Sequence, residues 1–240
     1  MKLKSSIIFA SAALLLLSFV NVPPLDIYGA LKNFMHHGDV SAKFDIRELE
    51  GREHYYGIGA LENLKGEIMI INGEPYISKQ NGEHVKVNNS FKYKAALFVG
   101  TSVKEWDNEG IPTRIKTEQD LQNFIEEQAT KRGIDIKEAF PFMVTGMFKQ
   151  ISWHVINWKD GDLEHTHEKH VTSGAHGTKK DATGRILGFY SPKHHRIFTH
   201  HSTNMHMHIK MDEPQIAAHV DDLELDGKGL LFLPKDFISN

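Results

Sequence analysis

The chain has 240 residues, 40% of them hydrophobic, enough to bury one large core or two closely joined halves. A formal net charge of -3, from 28 Lys and Arg against 31 Asp and Glu, excludes nucleic acid as a partner, because neutralising phosphates needs a basic face. No cysteine is present, so no disulfide and no thiol-borne lipid anchor is available.

The first segment reads as an export signal, residues 1–22. Lys2 and Lys4 precede an apolar run from Ile7 to Val20, followed by Asn21-Val22-Pro23-Pro24. A charged stretch ahead of a short apolar one is the secretory pattern, and a membrane span needs about 20 apolar residues. The mature chain is therefore expected to be periplasmic or secreted, with no membrane attachment once the signal is removed.

The folded part is expected over 27–240, in two sheet-based halves at roughly 45–140 and 141–240. From Tyr56 onward the pattern is mostly β. Glu67 to Asn72 is strand-like, and Asn72-Gly73 is a two-residue hairpin signal. Pro75 to Ser78 resumes a strand, Asn81-Gly82 turns, Val85 to Val87 returns, and Phe91 to Val99 closes a meander. Thr117 with Asp120 predicts a capped helix start; Leu121, Phe124, Ile125 and Ala129 share one face, and Gly133 ends the helix. Strands are expected at Val144 to Trp153, Ile186 to Tyr190, Ile197 to Thr199 and Gly229 to Leu233, with Lys159 to Thr183 a long loop. The fold class is α+β, with mixed and antiparallel sheets and few helices.

Chemistry concentrates at Met205-His206-Met207-His208-Ile209. Successive strand residues face opposite ways, so His206 and His208 share a face while the methionines and Ile209 share the other. Asp212 to Gln215 reads as a turn. If Met211 pairs with Ile216, His208 stands opposite His219, and three imidazoles converge. That is a tridentate site for a borderline-soft divalent metal, most naturally zinc, and a one-residue slip would destroy it. The alternative for a bare His-x-His among 16 histidines is a solvated strand face. His165, His167 and His170, in the polar stretch that continues to His176, could cap a pocket, hold a second metal or move protons; the alternative is a solvated connector. His154 reads as a packed strand residue, and the His194-His195 and His200-His201 pairs as surface or supporting groups.

Three blocks resemble the acetolactate decarboxylase family, over most of the chain from about Asp45. They are Gly57-Ile58-Gly59 with Leu64 to Tyr76, then Ile186 to Pro192, then His206-Met207-His208 with Ala218 to Leu223; Leu231 to Pro234 is also similar. The resemblance implies zinc held by His206, His208 and His219, with Glu67 as ligand or proton donor. It also implies a carboxy-lyase of acetoin biosynthesis that converts 2-acetolactate, a small 2-hydroxy-3-oxo acid, to acetoin and carbon dioxide. A homodimer is compatible with it. Two features depart from the family pattern. Met143 stands where the family has an arginine facing the substrate, and the family's C-terminal glutamate has no counterpart before Asn240. His165, His167 and His170, as cations, are the expected replacement for that arginine. A second reading is the same fold acting on another hydroxy-keto acid, and a third is a non-catalytic metal-binding protein.

Overall fold

The computed structural model describes residues 22 and 24–237. Apart from Val22, the expected export signal lies outside them. The elements in chain order are β1 (Asp26–Tyr28), α1 (Leu31–His37), β2 (Phe44–Asp45), β3 (Tyr55–Leu61), β4 (Glu67–Ile71), β5 (Glu74–Asn81), β6 (His84–Asn88) and β7 (Lys94–Gly110). There follow α2 (Glu118–Lys131), β8 (Phe140–Val155), α3 (His167–Thr172), β9 (Ala175–Tyr190), β10 (Met205–Met211) and β11 (Ile216–Phe237). The architecture is α+β, and every pairing between these strands is antiparallel.

The sheet runs β10-β9-β8-β11-β7-β3-β4-β5-β6, and β10 also pairs with β11. Strands β8 to β11 thus close on themselves. In the first part, Asn72 and Gly73 both have positive φ (52° and 79°), as the expected two-residue turn requires, and Ile71 pairs with Glu74 across it. The next turn is one residue later than the sequence implied: Asn81 pairs with His84, so Gly82 and Glu83 form the loop. The meander also closes differently. β7 does not join β6 but crosses back to lie between β3 and β11. Its Ala95 to Val99 run is buried at every position, which suits a central strand covered on both faces.

α2 forms as its residues dictate. The Thr117 side chain accepts from Asp120 N–H at 3.1 Å, the Asp120 carboxylate accepts from Thr117 N–H at 3.1 Å, and Leu121, Phe124, Ile125 and Ala129 face the core. Two expectations fail. Ile197 to Thr199 is not a strand but a tight turn whose three N–H groups all point at the His194 carbonyl. The expected loop from Lys159 to Thr183 contains α3, capped by Thr166, and the first half of β9, whose polar residues pair along β8 from Phe148 to Val155. Pairing supplies there what an apolar pattern would have signalled.

The ring of β8 to β11 encloses one apolar core, into which Met205, Met207, Ile209 and Met211 point together with Phe142, Phe148 and Ile186. The first-half strands lie across it, tied by Ser78 Oγ accepting from Ala217 N–H (2.9 Å) and Leu64 O accepting from Trp158 N–H (2.9 Å). Truncating Ile209, fully buried, to Ala should cost about 2–5 kcal/mol in urea unfolding, against about 1 kcal/mol for Thr117→Ala at the helix cap.

Candidate active site

Met211 pairs with Ile216, and His208 stands opposite His219. His219 is paired on its other side with His154 of β8, so one row across three strands carries three imidazoles. The ring centroids of His206, His208 and His219 lie 5.1–5.6 Å apart, and His154 lies 4.8 Å from His219. Glu67 enters from β4 across this row. Its Oε2 is 3.7 Å from His208 Nε2 and its Oε1 is 4.0 Å from His154 Nε2, while Oε1 also accepts the Ile156 N–H at 3.2 Å.

The sequence reading missed His154 and Asp221. His154 sits in an ordinary Trp-His-Val strand context, and only the β8–β11 pairing brings it beside His219. Asp221 is the unpaired residue of a bulge, between Val220, opposite Trp153, and Asp222, opposite Ser152. Bulges re-aim side chains beside active sites. Asp221 Oδ1 is 2.7 Å from His154 Nδ1 and 3.3 Å from His219 Nδ1. His154, His219 and Asp221 each offer a ligand atom, all within 4.8 Å of one another.

Burial sets the charge states. Desolvation pushes Glu67, 3% exposed, well above the ordinary carboxylate range; the Ile156 N–H opposes this and Asp221 reinforces it. Desolvation holds His206, His208 and His154 below the usual imidazole value, so they are neutral near pH 7. Burial would raise Asp221 as well, but its hydrogen bond with His154 and the neighbouring His219 outweigh this and keep it anionic. An anionic carboxylate only accepts, so His154 donates from Nδ1 and keeps a free Nε2 lone pair towards Glu67.

These groups fit a metal ion. His206 Nδ1, both nitrogens of His208 and His219 Nδ1 are buried with no hydrogen-bond partner among the described residues. Each such orphan costs about 1–3 kcal/mol unless something satisfies it. A divalent cation does so for neutral imidazoles beside one firm carboxylate.

The cluster forms part of the wall of a cavity of about 700 Å³, closed elsewhere by α1, the start of α2, α3 and the segment from Arg196 to Thr203. His167 and His170 line it, as do His200 and His201, which the sequence reading had placed at the surface or in support. His165 does not: it stacks on Trp158 at 4.2 Å and shares a 2.9 Å hydrogen bond with His170. The expectation that this loop supplies cations is corrected for two of its members. Burial lowers His165, and it brings His170 down to about 3, so neither carries charge near neutrality. His176 faces solvent and bonds only to the Gly174 carbonyl. Met143 is packed in an apolar cluster with Leu187 and Phe189, outside the cavity lining.

The sequence matches the family described as Alpha-acetolactate decarboxylase over residues 28–232. The chain belongs to that family. Its fold is similar to alpha-acetolactate decarboxylase from Bacillus subtilis strain 168 (16% identity, TM-score 0.68, covering 90% of this chain and 87% of that one). It is similar to a Staphylococcus aureus protein of unknown function, itself described as similar to alpha-acetolactate decarboxylase (18% identity, TM-score 0.66, 89% and 87% covered). The enzyme from Bacillus subtilis subspecies spizizenii gives 15% identity, a TM-score of 0.68 and coverage of 90% and 88%. No curated protein matches significantly. At these identities the structural likeness shows the fold, and the family is metal-dependent in general.

Two measurements check the site. His208→Ala should lose nearly all bound divalent metal by elemental analysis, with His206→Gln and His219→Gln behaving alike, whereas Asp221→Asn should weaken binding by about 10–100-fold. For the metal-free protein, His170 binds a proton in the unfolded chain below about 6.5 but in the folded chain only near 3. Stability should therefore fall as pH is lowered through that window, and the fall should be shallower in His170→Gln, read by urea midpoints.

Proposed function

We propose that this chain is a zinc-dependent carboxy-lyase that converts 2-acetolactate to acetoin and carbon dioxide, and that it is exported. What supports the reaction is the convergence of unpartnered, neutral histidine nitrogens with the buried Glu67 carboxyl, held above its ordinary range, on one wall of a cavity in a chain of this family. Lys2, Lys4 and the apolar run after them support export.

His206, His208 and His219 would hold the ion, with Glu67 beside them and the His154–Asp221 pair behind. Bound there, zinc supplies Lewis acidity towards the negative charge that develops on oxygen when the carboxylate leaves. The chain's own residues do the rest. Phe34, Leu64, Leu97 and Phe198 give the cavity apolar walls suited to the substrate's methyl groups and limit water. Glu67 is held well above the ordinary carboxylate range by its burial, so it keeps a proton to higher pH than a solvated glutamate does, beside the histidine cluster.

The substrate carboxylate needs a positive partner, and the neutral His165 and His170 cannot provide one. Lys32 and Arg196 can. Both line the cavity rim, neither forms an ion pair among the described residues, and their backbones are joined by the Lys32 N–H donating to Arg196 O at 3.0 Å. Arg196 is further held at a φ of 62°, its N–H donating to Thr199 O at 2.8 Å. A guanidinium there can take a carboxylate in two parallel bonds.

The burial of Met143 in the apolar cluster favours a second reading, the same machinery acting on a different 2-hydroxy-3-oxo acid. Purified chain loaded with zinc and given racemic 2-acetolactate decides between them. Acetoin should appear, and Arg196→Gln should raise KM by about 10-fold with zinc content and kcat nearly unchanged. No acetoin from a fully zinc-loaded wild type rejects the assignment, and turnover of a homologous substrate then supports the second reading.

A further inference from the structure

Among the described Asp and Glu side chains, two alone are held above the ordinary carboxylate range, and both line the same cavity: Glu67 and Glu118. Perturbed acids gathered in a cleft mark places where proton chemistry is done. Glu67 faces the imidazoles: one oxygen takes the Ile156 N–H and the other has His208 Nε2 in front of it at 3.7 Å, where an ion held by the histidines would stand. Glu118, the first residue of α2, is differently placed. Burial raises it, the Thr203 hydroxyl and His219 oppose the shift, and Asp222 adds to it.

The way Glu118 is held leaves one oxygen available. Met205 N–H donates to Thr203 Oγ1 at 3.2 Å, so the hydroxyl's own proton is turned to an acceptor on α2. Glu118 Oε1, at 3.2 Å, is nearer than Gln122 Oε1, at 3.5 Å, and Gln122 Oε1 already takes the Asn204 N–H at 3.1 Å. Glu118 Oε2 has no hydrogen-bond partner or ion pair among the described residues. The side chain is thus fixed to the segment that leads directly into His206, with its second carboxyl oxygen left free.

We propose that Glu118 is the acid that delivers the product's proton. This rests on the decarboxylation reading above. When the bond from the hydroxyl-bearing carbon to the carboxylate breaks, carbon dioxide leaves without the electron pair, which stays on the organic fragment as an enediolate. The O–H bond at Glu118 then breaks, a C–H bond forms at that carbon, and acetoin results. The Glu118 carboxylate regains its proton from water. Delivery from one fixed residue reaches one face of a flat enediolate, so the product is a single enantiomer.

The test follows acetoin, its enantiomeric ratio and zinc content for the zinc-loaded full chain, with Glu118→Gln and Glu118→Asp beside the wild type. Glu118→Gln keeps the acceptor for Thr203 and has nearly the same volume, so folding is not at stake. Wild type should give one enantiomer in large excess. Glu118→Gln should keep its zinc, lose about 10²-fold in turnover and give nearly racemic acetoin, because water now protonates the enediolate. Glu118→Asp, which keeps the acid, should restore part of the excess. An unchanged enantiomeric excess in Glu118→Gln, or a racemic product from the wild type, overturns the assignment of Glu118 while leaving decarboxylation standing. Loss of zinc from Glu118→Gln overturns it too, since the residue would then serve the metal. Absence of acetoin from the wild type overturns the decarboxylation reading and this proposal with it.

Discussion

His219 is hydrogen-bonded into the sheet between two other histidine-bearing strands, and the site follows from that double pairing. On one side the short turn from Met211 to Ile216 sets it opposite His208; on the other β11 runs on against β8 and sets it opposite His154. A slip of one residue on either side would turn an imidazole to the far face, exchanging it for an apolar neighbour that belongs in the core. The apolar half of the alternation guards against this. Met205, Met207, Ile209 and Met211 are all buried in the ring's core, and moving them out would cost roughly 1.5–3 kcal/mol each. The packing of the methionines therefore enforces the register of the histidines.

Burial also sets the chemical state of the site. The surroundings that keep His206 and His208 neutral, and so able to donate lone pairs, push the Glu67 carboxyl well above its ordinary range. Only Asp221 resists, because the bulge turns its carboxylate onto the His154 ring. The result is neutral imidazoles, one carboxyl that ionises reluctantly and one firm negative charge within a few ångströms. Such a cluster is costly by itself, since its nitrogens have lost water without a hydrogen bond in exchange, and a cation bound there would offset that cost.

The chain keeps the fold of acetolactate decarboxylases, and its charged groups stand on separate elements around the cavity. Position 143, part of a buried strand, belongs to apolar packing. Lys32 and Arg196 carry positive charge at the cavity rim, on segments joined backbone to backbone. The acids are likewise divided between β4 and the start of α2, so the cavity is assembled from elements far apart in the chain.

Much of this was legible in the residues. Strand alternation placed His206 and His208 on one face, the turn chemistry placed His219 opposite, and the Thr117–Asp120 pair with its apolar stripe placed α2, because these depend on local geometry and short-range pairing. Glu67 came from family resemblance, since nothing local marks a strand-start glutamate as buried. His154, Asp221, Glu118 and Arg196 carried no comparable signal. His154 matters only through the register of β8 on β11, Asp221 through a bulge, Glu118 through a threonine 85 residues away, and Arg196 through a turn the sequence suggested was a strand. The charge of the loop histidines was hidden for the same reason: an imidazole's state depends on how much water surrounds it, and only the packing of α3 against Trp158 and Phe34 removes that water. The sequence by itself determined the local periodicities and one hairpin's register; the tertiary structure decided which polar groups lose water and which distant ones meet, because both depend on contacts between segments far apart along the chain.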